Sequence, residues 1–298
     1  MSIKTLFRDR TFTHFSSEND PTYTIDLGEK VMVETHDCYG GRITDERTLR
    51  TNLDLTGKIN QATGPIYING VRKGDVLCIE VGEITLNDYG VMVMMPGLGP
   101  LGSQIGNTTT KILRINENII HFSETIRIPV QPMVGVIGVA PTKGSIQNET
   151  PGDHGGNLDT KEITTGSKVY LPVRHDGALL GLGDMHAAMG DGELDGTGVE
   201  VAGAVQLTVT KAENWKIESP VVETSNSYLI LCSGEGYEST IERALLMTVQ
   251  HIQRTMALDF EDAYRLLSAT CDLKISQIVN PLITVKVSIP KTLVPQLF

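Results

Sequence analysis

Apolar and polar positions alternate in short runs through most of the chain, and that period of two predicts strands rather than helices. Runs at 22–26 and 30–36 flank the turn residues Leu27-Gly28-Glu29, and the weakly patterned polar stretch 42–63 reads as a long loop with room for one helical turn. Strands are expected next at 64–70 and 75–81, with Asn69-Gly70 between them as a turn signal. Further alternating runs fall at 111–115, 118–122 and 126–130, and the apolar segment 133–140 reads as a buried strand. A strand at 167–173 is expected to turn at His175-Asp176-Gly177 and return as a hairpin through 178–182, with more strands at 199–210 and 227–232. The period then changes. Ser239-x-x-Glu242 has the spacing of a capping box, and Ile241, Ala244, Leu245, Thr248, Val249, Ile252 and Met256 recur at helical spacing. Asp259 is placed to cap a second helix ending near Ala269, and Asn280-Pro281 precedes a final strand over 282–289.

Strands followed by helix, helix and strand predict a predominantly β fold of sandwich- or barrel-like sheets with a C-terminal α+β portion, not a wound βαβ sheet. The expected division is a β-rich core over 1–235, open to a split into two interleaved β subdomains, and a helix-helix-strand portion over 236–298. A literal GxGxxG runs from Gly97 to Gly102, but Pro100 lies inside the turn and 103–110 lacks the periodicity of a phosphate-binding helix, so no dinucleotide site is expected.

Composition narrows the function classes. With 40% hydrophobic and 20% charged residues over 298 positions, the chain reads as globular. A formal net charge of −11 argues against a nucleic-acid partner, which needs a basic footprint. The residues 1–10 lack the apolar core of a signal peptide, and no run approaches the ~20 apolar residues of a membrane span. A cytoplasmic protein is the expectation. Cys38, Cys78, Cys232 and Cys271 are far apart and form no CxxC pair, so neither a disulfide framework nor a zinc knuckle is expected.

Candidate chemistry concentrates between Gly183 and Glu200, where one histidine, three aspartates, two glutamates and five glycines share eighteen residues. Asp184 and His186 are two apart and face the same side of a continuing strand, which offers carboxylate and imidazole to zinc or a similar ion. Further ligands must come from elsewhere; His36, Asp37, Glu200 and His154 are the candidates. Such a centre acidifies bound water, and Glu193 or Asp191 is placed to take the proton and return it to a leaving amine. The loop 151–159 adds His154 to the catalytic candidates, with Asn157 and Asp159 as substrate contacts. Asp191-x-Glu193-x-Asp195-Gly196 imitates the start of an EF-hand loop, yet the closing glutamate position holds Ala202 and the flanks read as strands. Calcium therefore remains only as a second choice behind zinc, outside an EF-hand. A plain acidic turn is the bland alternative to any site.

The run Gly183-Asp184-Met185-His186-Ala187-Ala188-Met189-Gly190-Asp191-Gly192-Glu193 resembles the GD-x-HAA-x-GDGE motif of the acetamidase/formamidase family. His154-Gly155-Gly156-Asn157-Leu158-Asp159 is similar to that family's HGGNLD motif, and His36-Asp37-Cys38 and the segment 275–281 also fit. The resemblance covers nearly the whole chain. It implies hydrolysis of short aliphatic amides to carboxylate and ammonia, a β-rich fold, a divalent metal (zinc, with calcium as an accompaniment) and a dimer or higher oligomer. Two other readings stand beside the metal-dependent amidase. One is an amidase with Cys38 as nucleophile, activated by His36; the other is a metal- or sugar-binding β-module without turnover.

Overall fold

A computed structural model of the protein describes residues 3–294. Two large sheets face each other. The first has nine strands, in spatial order Lys4–Leu6, Lys30–Thr35, Gly203–Lys211, Val76–Leu86, Lys168–Pro172, Val221–Glu223, Ser227–Gly234, Ile283–Pro290 and Asp272–Gln277. The second has eleven; its main path runs Arg127–Pro129, Ile119–His121, Thr109–Asn116, Tyr89–Met94, Glu200–Val201, Leu180–His186, Met133–Gly138 and Gly155–Asn157. From Leu180–His186 it branches to Ala62–Asn69, which also pairs with Thr11–Phe12 and Tyr23–Asp26. Val31, Val33, Leu77 and Ile79 from the first sheet pack with Ile66, Leu113, Val134 and Leu180 from the second in one buried cluster. In strands such as Lys30–Thr35 and Gly203–Lys211 alternation puts one face into this layer, so the β-sandwich follows from the sequence pattern.

The turns do something the pattern does not announce. Asn69-Gly70 and His175-Asp176-Gly177 do not close hairpins, because the strands they join belong to different sheets. The chain leaves Ala62–Asn69 in the second sheet for Val76–Leu86 in the first, and leaves Lys168–Pro172 in the first for Leu180–His186 in the second. The physical reason lies in burial. Residues 169–173 and 178–187 are almost all apolar and fully buried, as in strands covered on both faces, so each turn crosses between layers instead of folding back within one.

The helical portion holds with three adjustments. The first helix, α1, spans Tyr237–Met256 and starts two residues before the expected cap, behind Gly236 at φ 72°. Ser239 lies inside its first turn, donating its hydroxyl to the Glu235 carbonyl at 2.8 Å, so the capping-box expectation was wrong. The second, α2, spans Phe260–Thr270 and is capped as expected, Asp259 accepting from the Asp262 amide at 2.8 Å. A strand at Asp272–Gln277 follows that the alternation does not reveal: it is an edge strand whose first four residues are exposed. It and Ile283–Pro290 extend the nine-stranded sheet, with α1 packed against Ser227–Gly234 and Ile283–Pro290. Among the described residues no helix is long and apolar enough to cross a membrane. All four cysteines are free.

Candidate metal centre

Leu180–His186 lies inside the second sheet, between Met133–Gly138 and Glu200–Val201, and every residue in it is buried. His186 stands directly opposite Glu200 across the strand pair, and its Nε2 lies 3.2 Å from a Glu200 carboxylate oxygen. Asp184 reaches the same nitrogen at 3.5 Å and Asp159 at 3.9 Å. Two glycines make this meeting sterically feasible. A Cβ on Gly135 would stand 2.5 Å from Asp159 Oδ1 and 2.8 Å from the Asp184 carbonyl, and one on Gly198 would stand 2.5 Å from His186 Nδ1.

Six ligand-type side chains result, in two abutting triads: Cys38, Asp184 and Glu200, and Asp159, His186 and Glu193. Within each triad the donor atoms lie within 4.8 Å of one another, and all six residues are buried. Asp159, Asp184 and Glu193 each hold positive φ, at 39°, 53° and 48°. That conformation is uncommon for side chains other than glycine, and it concentrates at sites where geometry serves function. Among the described residues, Asp159 Oδ1, Asp184 Oδ1, Glu193 Oε2, Glu200 Oε2 and both His186 nitrogens find no partner with hydrogen-bond geometry. Buried polar atoms are normally paired, so this many orphans in one buried cluster fit a cation.

Titration follows the crowding. Burial and the neighbouring Asp184 carboxylate push Asp159 up to about 6. Burial, partly offset by His186, pushes Glu200 to about 8. Burial and Asp159 raise Glu193 well above the carboxylate range. Burial alone would lower His186, but the Glu200 and Asp184 carboxylates override it and hold the imidazole well above its ordinary value. Burial and the surrounding carboxylates likewise raise the Cys38 thiol. A cavity of about 120 Å³ opens onto this group, lined by Cys38, Asn157, Asp184, Glu193, Glu200 and Asn280 among others.

Of the residues singled out in the sequence, Asp184, His186, Glu200, Glu193 and Asp159 come together, and Asn157 lines the cavity with an unpaired Oδ1. His36 and Asp37 stand outside both triads. His36 is half-buried beside Arg8; burial and that guanidinium lower its pKa. Asp37 turns one carboxylate oxygen to the Tyr39 and Gly41 amides, at 2.9 and 2.8 Å, as a loop-capping aspartate does. His154 packs edge-on against Phe15, lines a different cleft, and is lowered by burial to about 4. Asp191 is held by Lys286 at 2.6 Å and Lys161 at 3.1 Å; burial would raise it, but these two ammonium groups keep it below the usual range.

Two contributors escaped sequence reasoning. Cys38 was weighed as a nucleophile and not as a ligand. Asn280 was read as a strand break, yet its amide donates to Asp159 Oδ2 at 2.7 Å and to the Asn157 carbonyl at 3.2 Å. Its only sequence signal was its place in the 275–281 segment.

Known proteins share this fold. The model of the acetamidase/formamidase family matches residues 8–150 and 143–295. The structure of an acetamidase from Bacillus halodurans superposes with a TM-score of 0.96 at 42% identity, covering 98% of this chain and 99% of that one. A recombinant predicted acetamidase/formamidase from Thermoanaerobacter tengcongensis gives 0.96 at 39% identity, over 98% and 97% of the two chains. The formamidase of Methylophilus methylotrophus is 40% identical over 66% of this chain and 64% of its own length. The matches span 60% and 64% of the length of two curated relatives and 15% of a third. With the family match running across almost its whole length, the chain belongs to the acetamidase/formamidase family.

Proposed function

We propose that this protein is a metal-dependent hydrolase of short aliphatic amides, of the formamide and acetamide type, releasing a carboxylate and ammonia. The observation that carries the reading is the pair of abutting triads, with their unpaired donor atoms, on the wall of a small cavity. Asp184, His186 and Glu200 would hold the ion, with Asp159 and Cys38 completing the donor set. Imidazole and thiol among the donors favour zinc over calcium, which takes oxygen ligands. When bound, the ion supplies Lewis acidity, lowering the pKa of water and polarising a carbonyl.

The protein's own groups handle position and protons. Glu193, raised by burial, has an unpaired Oε2 on the cavity wall and is suited to accept the proton of an attacking water and pass it to the departing nitrogen. Asn157 and Asn280 also line that wall, and the free Asn157 Oδ1 can accept from a substrate N–H. A cavity of about 120 Å³ is far below the ~300–1,000 Å³ of drug-sized sites, which favours a substrate of few heavy atoms.

The Cys38-nucleophile reading is the weaker one. A reactive thiolate needs an electropositive setting, and Cys38 faces Glu200, Asp184 and Asp37, which together with burial push its pKa up. The family relatives named as amide hydrolases favour turnover over a binding-only β-module.

Elemental analysis combined with ammonia release from formamide and acetamide tests the proposal. We expect about one or more zinc equivalents, activity lost on chelation and regained with Zn²⁺, and a folded His186→Ala variant that neither binds zinc nor releases ammonia. Full turnover in a metal-free preparation would overturn it. We expect the active form to be a cytoplasmic homodimer; light scattering on the purified protein checks the oligomer.

A further inference from the structure

Lys286 sits in the strand Ile283–Pro290 with no solvent exposure. Its Nζ donates to Glu162 Oε2 and to Asp191 Oδ1, each at 2.6 Å. Lys161 pairs with the other Asp191 oxygen at 3.1 Å. One residue on, Gly192 bridges to Gln277: its amide donates to the Ser276 carbonyl at 2.8 Å and its carbonyl accepts from the Ile278 amide at 3.2 Å. The next residue is Glu193.

Glu193 needs such restraint. Its φ of 48° is a conformation glutamate seldom adopts, and it persists only where surrounding structure over-determines it. Its carboxylate is also gathered within 4.8 Å of donor atoms of Asp159 and His186, a placement that the turn must hold. A fully buried ammonium is a poor device for stability alone, because desolvation offsets its ion pairs. That calls for another account of why Lys286 is there.

We propose that Lys286 is a positioning residue: it grips Asp191 and thereby holds the turn that delivers the Glu193 carboxylate to the centre. The proposal rests on the reading of Glu193 as part of the active centre. Asp191 is then an anchor for the turn, and the proton-transfer role belongs to Glu193.

A double-mutant cycle on zinc-loaded enzyme tests this. Asp191→Asn and Lys286→Met should each lower kcat for acetamide by about 10–100-fold, the range for groups that orient a metal site from behind, with KM changed far less. Combined with Glu193→Gln, Asp191→Asn should add almost nothing, since it acts through a carboxylate already removed. A merely structural role would lower Tm while leaving kcat per folded molecule unchanged, or would multiply independently with Glu193→Gln; either result overturns the proposal. Should Lys286→Met fail to fold, Asp191→Asn carries the cycle alone. Full activity in Glu193→Gln overturns the underlying site reading. An inactive Glu193→Gln beside a fully active Asp191→Asn overturns only the positioning role.

Discussion

Gly135 shows how far the centre depends on a residue with no chemistry of its own. Added methyl volume there meets the Asp159 carboxylate and the Asp184 backbone at once, and the second of these cannot swing away as a side chain can. Gly135→Ala should therefore keep the fold, at a cost of about 1–3 kcal/mol from overpacking, while zinc affinity falls by roughly an order of magnitude or more. Isothermal titration with Zn²⁺ beside a urea melt separates the two effects. Cys38 provides a second check at this scale: it is buried and its thiol is raised by burial and nearby carboxylates, so a thiol reagent at pH 8 should modify it only after unfolding. Rapid labelling of Cys38 in the native protein would revive the nucleophile reading. At this scale the sequence was partly legible. Asp184 and His186 announced themselves by spacing, Glu193 by its motif and Glu200 as a carboxylate closing the same acidic stretch, whereas His36 and Asp37 looked equally good and lie outside the triads. Local composition shows which side chains can bind a metal; it does not show which way a loop turns them.

Among elements, strands and helices were legible where a single face is buried, and partnerships were not. The stripe from Ile241 to Ile252 is the buried side of α1, and Asp259 caps α2. Because that cap donates nothing and only satisfies a helix amide, Asp259→Ala should cost about 1 kcal/mol, read as a small drop in Tm. The edge strand Asp272–Gln277 stayed hidden because an exposed edge needs no alternation, yet its end and the segment after it present Ser276, Ile278 and Asn280 to the site loops. Turn chemistry misled for a related reason: Asp-Gly and Asn-Gly specify a bend, and the buried strands beside them decide which sheet receives the chain. A pH effect also belongs here. His251 is buried in α1, and burial together with nearby Arg254 lowers it to about 4. Its folded pKa lies below the unfolded value near 6.5, so the unfolded chain binds the proton more readily. Its neutral form is fully compatible with the fold above pH 6.5, and stability is lost as pH falls from about 6.5 to 4, by up to about 3 kcal/mol. His251→Gln should flatten the urea midpoint across that window; an unchanged slope counts against the assignment.

The whole molecule explains how residues from three distant loops come together. The second sheet puts Leu180–His186 beside both Glu200–Val201 and Met133–Gly138, and the latter carries Gly155–Asn157 on its other edge, next to Asp159. No local pattern encodes that adjacency, which is why the motifs were visible in sequence while their convergence was only a hypothesis. The cost of the convergence is a buried acidic cluster, and it has a definite sign. Asp159 and Glu200 have folded pKa values raised to about 6 and about 8, above the ~4 of unfolded carboxylates, so without metal the native state holds protons that the unfolded chain has released. That contribution is favourable at low pH and is lost as pH rises from about 4 to 8, opposite in sign to the His251 effect. A divalent ion bound there would take the place of those protons, so its stabilisation should grow over the same interval. With free Zn²⁺ at about 1,000 times Kd the gain is about 4 kcal/mol, a shift of several degrees in Tm. The difference in Tm between zinc-loaded and chelator-treated protein should therefore be larger at pH 8 than at pH 6, and should vanish in His186→Ala. A difference independent of pH would mean that the ion does not displace protons from these carboxylates, and the metal would have to be sought elsewhere in the molecule.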